Sequence, residues 1–340
     1  MAIQGLTRLR FNQVGKQSVI QTAVTATRRV PWRGALTYNP NRTDPDVDVG
    51  SLDPVIAPYS GAIDVGWNPT GPITFDDLPI RLSAGLMGGI SPTTPAGAAR
   101  QWSYQVASLT ADAFDYWTNQ FGDDTEATDT IIGFGGVADV LEETMPEDGG
   151  PWTISDTWIF AGATLGSNAT NGLTVDDTPV FAFGTDTAFY MDSTAGSIGI
   201  TPLSDAVHTA TIRISNNLDK KRFANGSNTR NQLSGYGRGP RVIELMLTVS
   251  KTTATIAEAN TLDDTPTPSR FFKISTNSTE LAAAANPYKY ERSGAFRLFE
   301  RSEGEIGGNA VINLVYRAYY DSTLGYAYKA LVVDQLTALP

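Results

Sequence analysis

Apolar and polar residues alternate with period two along most of this chain, and only two stretches turn to a helical period. Residues 60–68 (SGAIDVGWN) alternate as a half-buried strand, and further strands are predicted at 102–108 (WSYQVAS), 130–143 and 152–163. After turn-rich sequence at 164–178, strands are predicted at 196–201, 207–215 (VHTATIRIS), 241–250 (RVIELMLTVS), 270–275, 288–300, 309–320 and 326–335. The first helical stretch is 74–87. Thr74, Asp76 and Asp77 favour its start, Leu78, Leu82 and Leu86 share a face, and Gly88-Gly89 ends it. The second is short, at 252–262. Residues 1–40 read as an extended arm leading into a strand around 30–37, and 38–59, rich in Pro, Asp and Asn without periodicity, as a long loop.

The order of these elements repeats. In the first half a strand (GAIDVGW) leads to a helix, an aromatic strand (WSYQVAS) and long strands ending in WTISDTWIFAG. In the second, RVIELMLTVS leads to TTATIAEANTL, then RFFKIS, then long strands ending in YKALVVDQL. The order supports a duplication, although few residues are shared. It divides the chain into an arm with its first strand (1–37), a first domain (38–175) and a second (176–340), mainly β, with one short helix in each domain.

Charge changes this picture. The first 42 residues carry seven basic side chains and no acid; residues 43–175 carry nineteen acids against Arg81 and Arg100; residues 176–340 are nearly neutral, within a net charge of −11. A positive arm on a negative body suits head-to-tail self-association, since unlike surfaces attract and like surfaces repel. A solubilising or nucleic-acid-binding tail fits the arm as well, but the acidic body would repel DNA phosphates.

Candidate chemistry is sparse. The chain has no cysteine, which excludes disulfides and thiolate chemistry, and no stretch of 18 apolar residues that would span a membrane. The start carries no charged region followed by an apolar run, so cytoplasmic folding is expected. His208 is the only histidine and sits in an alternating strand, where a structural role is expected. Asp44, Asp46 and Asp48 suggest a calcium loop, but Gly50 falls at the seventh position and Val55 at the twelfth, which fails the EF-hand spacing. The stretch 213–241 holds seven basic residues and one acid and reads as a mobile basic loop; Lys220, Lys221, Arg222 and Arg238 are its candidates for binding phosphate or the acidic stretch 123–148 of another copy. Gly235-Tyr236-Gly237-Arg238-Gly239 lacks the third glycine of a dinucleotide fingerprint. Most of the six tryptophans fall in predicted strands, which favours packing over a sugar platform. No catalytic residue, cofactor or metal is expected.

Several segments in order resemble the tail tube (major tail) proteins of long-tailed bacteriophages, in the group with an internally duplicated tube domain. They are TATRRVPWRGAL, SLDPVIAPYSGAIDVGWNP, the helix ending in Gly-Gly, WSYQVAS, IIGFGGVADVLEETM, TATIRISNNLDKK, GYGRGPRVIELMLTVS and the closing ALVVDQL. The resemblance covers nearly the whole chain and lies in order and local character. It implies two tandem β-sandwich domains with a flanking helix and a long loop, six tube domains per ring and hence three chains, and rings stacked into a tube. It also implies the partners: the chain itself, the tape measure protein inside the tube, tail terminator and distal tail proteins, and DNA in transit. The location would be the virion. A double tube domain argues for a non-contractile tail.

Combined with the charge pattern, this makes the arm and loop the expected inter-ring contacts, with Arg28, Arg29, Arg33, Asp44, Asp46 and Asp48 as candidates. Asp64 and Glu244 occupy similar places in the two halves and are the candidates to face the lumen. The competing readings are another virion β protein, from the capsid surface or baseplate, and an extracellular carbohydrate-binding module or glycosidase.

Overall fold

A computed structural model describes residues 10–44, 58–106, 113–123, 130–167, 169–170, 172–173, 176–203, 206–223, 232–283 and 285–340. The fold is mainly β, with 55% of residues in strands and 9% helical, in large antiparallel sheets with a short α-helix in each half.

Two long strands organise the sheets into a barrel-like body, and each serves two sheets in succession. Thr130–Met145 first runs between Tyr116–Asp123 and Gly162–Ser167, then continues between Val207–Ser215 and Thr153–Ser155. Asn286–Ile306 first runs between Tyr328–Asp334 and Ser269–Ala283, then pairs with Asn309–Ala318. Each bends through a register shift, between Gly133 and Gly136 in the first and between Leu298 and Glu300 in the second. The first shift requires glycine: Gly135 has φ +66°, and a Cβ there would stand 2.4 Å from the Ile20 carbonyl oxygen.

The alternation read from the sequence gives the core. Val242–Ser250 buries Ile243, Leu245, Leu247 and Val249 and turns Glu244, Met246 and Thr248 outward. The main apolar core takes residues from both halves, and ladders cross between them: Arg100–Gln105 pairs with Tyr328–Asp334, and Thr130–Met145 with Val207–Ser215. The boundary near 175 is therefore crossed by continuous sheet. All six tryptophans are buried, and Trp32, Trp67 and Trp158 cluster with ring centroids 5.6–6.5 Å apart. Buried indoles offer no sugar platform.

Four expectations are corrected. From Arg10 onward the arm is not free: Arg10–Gln17 is a largely buried strand paired with Tyr116–Asp123, because Phe11 and Val14 belong inside. The strand expected at 30–37 is split into Arg28–Val30 and Leu36–Asn39 around Pro31, which has no N–H for a ladder. The strand expected at 196–201 is a 3-10 turn at Ala195–Ser197, and a strand unseen in the sequence, Thr187–Asp192, precedes it. The basic stretch 213–241 is no loop throughout: it finishes a strand and forms a hairpin, Leu218–Lys221 with Gly235–Arg238. Residues 1–9, 45–57 and 224–231 lie outside the described residues.

The helices start close to where sequence signals put them. The first, α1 (Leu78–Gly85), follows a 3-10 turn at Phe75–Asp77, and the second, α2 (Thr253–Asn260), is capped reciprocally by Thr252 and Thr255. All eight residues of α1 are buried, so it is an interior helix rather than a surface amphipathic one.

Candidate functional site

The most extended polar feature is one face of a sheet. Its segments run, in hydrogen-bonded order, from Arg33 through Thr70–Pro72, Thr153–Ser155, the end of Thr130–Met145, Val207–Ser215, Val242–Ser250 and Asn309–Ala318 to the outer part of Asn286–Ile306. The register lines up a row of charges: Glu142 opposes Arg213, Arg213 opposes Glu244, Glu244 opposes Arg317, and Arg317 opposes Arg297. Directly opposed residues share a face, so the first four side chains alternate in sign across the strands, and Arg297 adds a second positive charge beside Arg317. Arg317 Nε donates to Glu244 at 2.9 Å, and Arg213 stands 3.8 Å from Glu142. The next row is Thr144, Thr211, Met246 and Val315, and the one beyond pairs Thr248 with Asn313. The charges of Glu142, Arg213, Glu244 and Arg317 cancel, so away from the exposed Arg297 the face is one of hydroxyls, apolar groups and neutralised ion pairs.

The two lateral ends differ. At the Arg33 end lies a groove of about 440 Å³ lined by Arg10, Phe11, Arg29, Trp32, Arg33 and Phe121 among others. Arg29 lies over the Phe11 ring at 4.9 Å, while Arg10 and Arg33 are exposed and have no carboxylate partner among the described residues. At the other end, Asn286–Ile306 beyond Arg297 has Asn309–Ala318 on one edge and no strand on the other among the described residues. Residues 299–305 and 307–310 of this hairpin are all exposed, with Glu300, Glu303 and Glu305 on it; Glu303 accepts from Lys251 at 2.8 Å.

The expected site residues are distributed as follows. Arg28 donates through Nε to Asp77 at 2.8 Å, and Thr74 donates to the other Asp77 oxygen at 2.6 Å, so Arg28 ties the arm to the start of α1. Burial works against the Arg28 charge, and Asp77 more than restores it, so its pKa is raised. Arg29 and Arg33 meet at the groove. Asp44 is exposed, and Asp46 and Asp48 lie outside the described residues.

Lys220 and Arg222 come together with Asp64 of their own chain, at 2.7 and 3.1 Å. Burial alone would raise the Asp64 carboxyl, but hydrogen bonds from Lys220, Asn41 and Arg222 outweigh it and lower it to about 2. Lys221 pairs with Asp219, and Arg238 lies over Phe114 at 4.6 Å. Glu244 stands in the polar row, so the two lumen candidates are not equivalent: Asp64 serves the basic hairpin and Glu244 the sheet face. Arg317 and Arg297 are not among the expected site residues, and Arg213 and Glu142 enter the sequence reading only as members of the basic stretch 213–241 and the acidic stretch 123–148. Each sits at an outward position of an alternating strand, but only register reveals the row.

Two further clusters bear on chemistry. A buried network joins the halves: Arg81 donates to Asp156 at 2.7 Å and to Glu143 at 2.8 Å, while Glu143 accepts from Tyr290 at 2.7 Å and Arg292 at 3.1 Å. Burial would raise the Glu143 carboxyl, but Arg81 and Arg292 hold it below the usual range. With Arg81, Glu143, Asp156 and Arg292 all buried, it is a rivet. Separately, His208 Nε2 is 2.9 Å from Ser250 Oγ, and Nδ1 is 3.5 Å from Glu147. That is the order of a nucleophile, base and orienting acid. However, the Ser250 and Lys251 N–H groups donate to Ala206 and Ala310 carbonyls, which leaves neither to hold an oxyanion, and Glu147 is 52% exposed. The cluster is an outward-facing polar contact.

Among the described residues no group of three or more His, Cys, Asp or Glu is placed to hold a metal ion, and no helix is long and apolar enough to cross a membrane. Neither the protein-family models nor the curated proteins contain a match to this chain.

Proposed function

We propose that this chain is a structural subunit that self-assembles into a tail tube of a long-tailed bacteriophage, enclosing the tape measure protein and then conducting DNA. The observation that carries this reading is the polar sheet face bounded by two unlike lateral ends. A strand edge left unpaired among the described residues, as on the outer part of Asn286–Ile306, is a hazard in a free monomer and an asset in a subunit that adds copies of itself. Unlike ends make a heterologous contact, which generates rings when the rotation closes. The ordered resemblance of the sequence to duplicated tube proteins supplies the class, and three chains would then make a ring of six tube domains.

The face suits a bore through which DNA slides. Phosphates bind where uncompensated Lys and Arg stand. In the row the inner arginines are matched by Glu142 and Glu244, and the flanking rows are hydroxyl-bearing or apolar. Such a wall, balanced in charge over Glu142, Arg213, Glu244 and Arg317, holds few cations to retain a phosphate. Negative-stain electron microscopy of the concentrated protein tests the reading: hollow tubes or stacked rings with threefold or pseudo-sixfold end views are expected. Discrete closed particles would instead favour a capsid-surface or baseplate protein.

A further inference from the structure

We infer that the arginine-lined groove beside Arg33 is the docking site for the 298–310 hairpin of a second copy of this chain. The inference rests on the self-assembly reading and specifies the surfaces that reading leaves open. Groove and hairpin lie at opposite ends of one run of strands, seven inter-strand steps apart, or roughly 34 Å along the sheet at ~4.8 Å per step. They terminate the same polar face, so joining them between copies continues that face across the junction.

The chemistry of the two ends matches. The groove offers Arg10 and Arg33, exposed and without carboxylate partners among the described residues, with the half-buried Phe121 and the buried Phe11 and Trp32 among its lining residues. The hairpin offers exposed Glu300 and Glu305 on opposite faces of its strand, with Arg301 between them donating to Asn260, Phe299 at its base under the Arg317 guanidinium, and Ile306 at its tip. Arginine and glutamate supply orientation, and the apolar groups supply area. Among the described residues no strand pairs with the outer edge of the hairpin strand, the arrangement that strand addition uses. The turn at Gly307 and Gly308, both at positive φ, keeps the tip narrow.

The test uses the full chain, whose lack of cysteine makes disulfide trapping free of background. Ala35→Cys, in the groove, is combined with Ile306→Cys, at the tip. On oxidation the double variant is expected to give a ladder of covalent multimers, and each single variant to stay monomeric. In parallel, Arg10→Glu/Arg33→Glu and Glu300→Arg/Glu305→Arg are each expected to raise the concentration needed for assembly at least tenfold. The chain carrying all four changes is expected to regain assembly, because the opposed charges are restored in swapped order. Arg10, Arg33, Glu300 and Glu305 are exposed, and an unchanged circular dichroism spectrum establishes that the variants fold. Covalent multimers without tubes would support the contact and remove the tube reading. Tubes that form without cross-linking and ignore both charge reversals would overturn the contact and leave the tube reading in place. A chain that neither cross-links nor assembles overturns it too.

Discussion

Single residues carry most of what the sequence concealed. Arg81 sits in the helix expected at 74–87 and enters the sequence reading only as one of two basic residues in 43–175, yet it is buried against Asp156 and Glu143. Nothing local marks it, because both partners lie more than 60 positions away in sequence. Arg81→Leu leaves Asp156 buried without its cation, and a loss of about 3–5 kcal/mol is expected in urea denaturation. Asp334 is the opposite case. Its Oδ1 accepts from Trp102 at 3.0 Å and from the Leu336 N–H at 3.1 Å, while Oδ2 has no partner. Burial, with the Asp76 charge nearby, pushes its carboxyl up to about 8. The folded state therefore holds a proton that the unfolded chain releases near pH 4. Stability from this group is complete below pH 4 and falls as pH rises toward about 8. Asp334→Asn is expected to flatten that fall, gaining at most about 6 kcal/mol above pH 8. Urea midpoints at pH 5 and pH 8.5 check it, and an unchanged difference between wild type and variant would contradict the assignment.

At the scale of elements, patterns with a clear period were legible and continuity was not. The strands at 207–215, 242–250 and 309–318 and both helices lie close to where alternation and capping put them. The sequence did not reveal that Asn286–Ile306 and Thr130–Met145 each serve two sheets, since a bend at a register shift leaves only a glycine or a displaced side chain behind. Packing of α1 on Thr130–Met145 is set by the absence of a side chain at Gly85: a Cβ there would lie 2.8 Å from Leu141 Cγ and 2.9 Å from Ala138 Cβ. Gly85→Val should overpack this contact and cost about 1–3 kcal/mol, seen as a lower melting temperature. A neutral result would mean that the helix can move off the sheet.

At the scale of the whole molecule, the segregation of charge along the sequence has a second use. Much of the complementarity between basic and acidic regions closes within the chain: Lys16 with Asp115, Arg28 with Asp77, Lys220 and Arg222 with Asp64, and Arg292 with Glu143. These pairs tie the arm and the second half to the acidic first half. Composition cannot distinguish contacts within a copy from contacts between copies, because only the fold decides which charges meet. Arg10 and Arg33 are the arm charges left facing a groove, so assembly should depend on salt through few contacts. Raising salt from 0.05 to 1 M is expected to lower assembly, measured by sedimentation, without changing the monomer's circular dichroism. The most direct measurement is a cryo-electron microscopy reconstruction of the assembled protein at side-chain resolution. A tube is predicted, with Glu142, Arg213, Glu244 and Arg317 facing the bore and the face continuous from one copy to the next. A tube with that row on its outer surface, or closed particles with no bore, would contradict the proposed function.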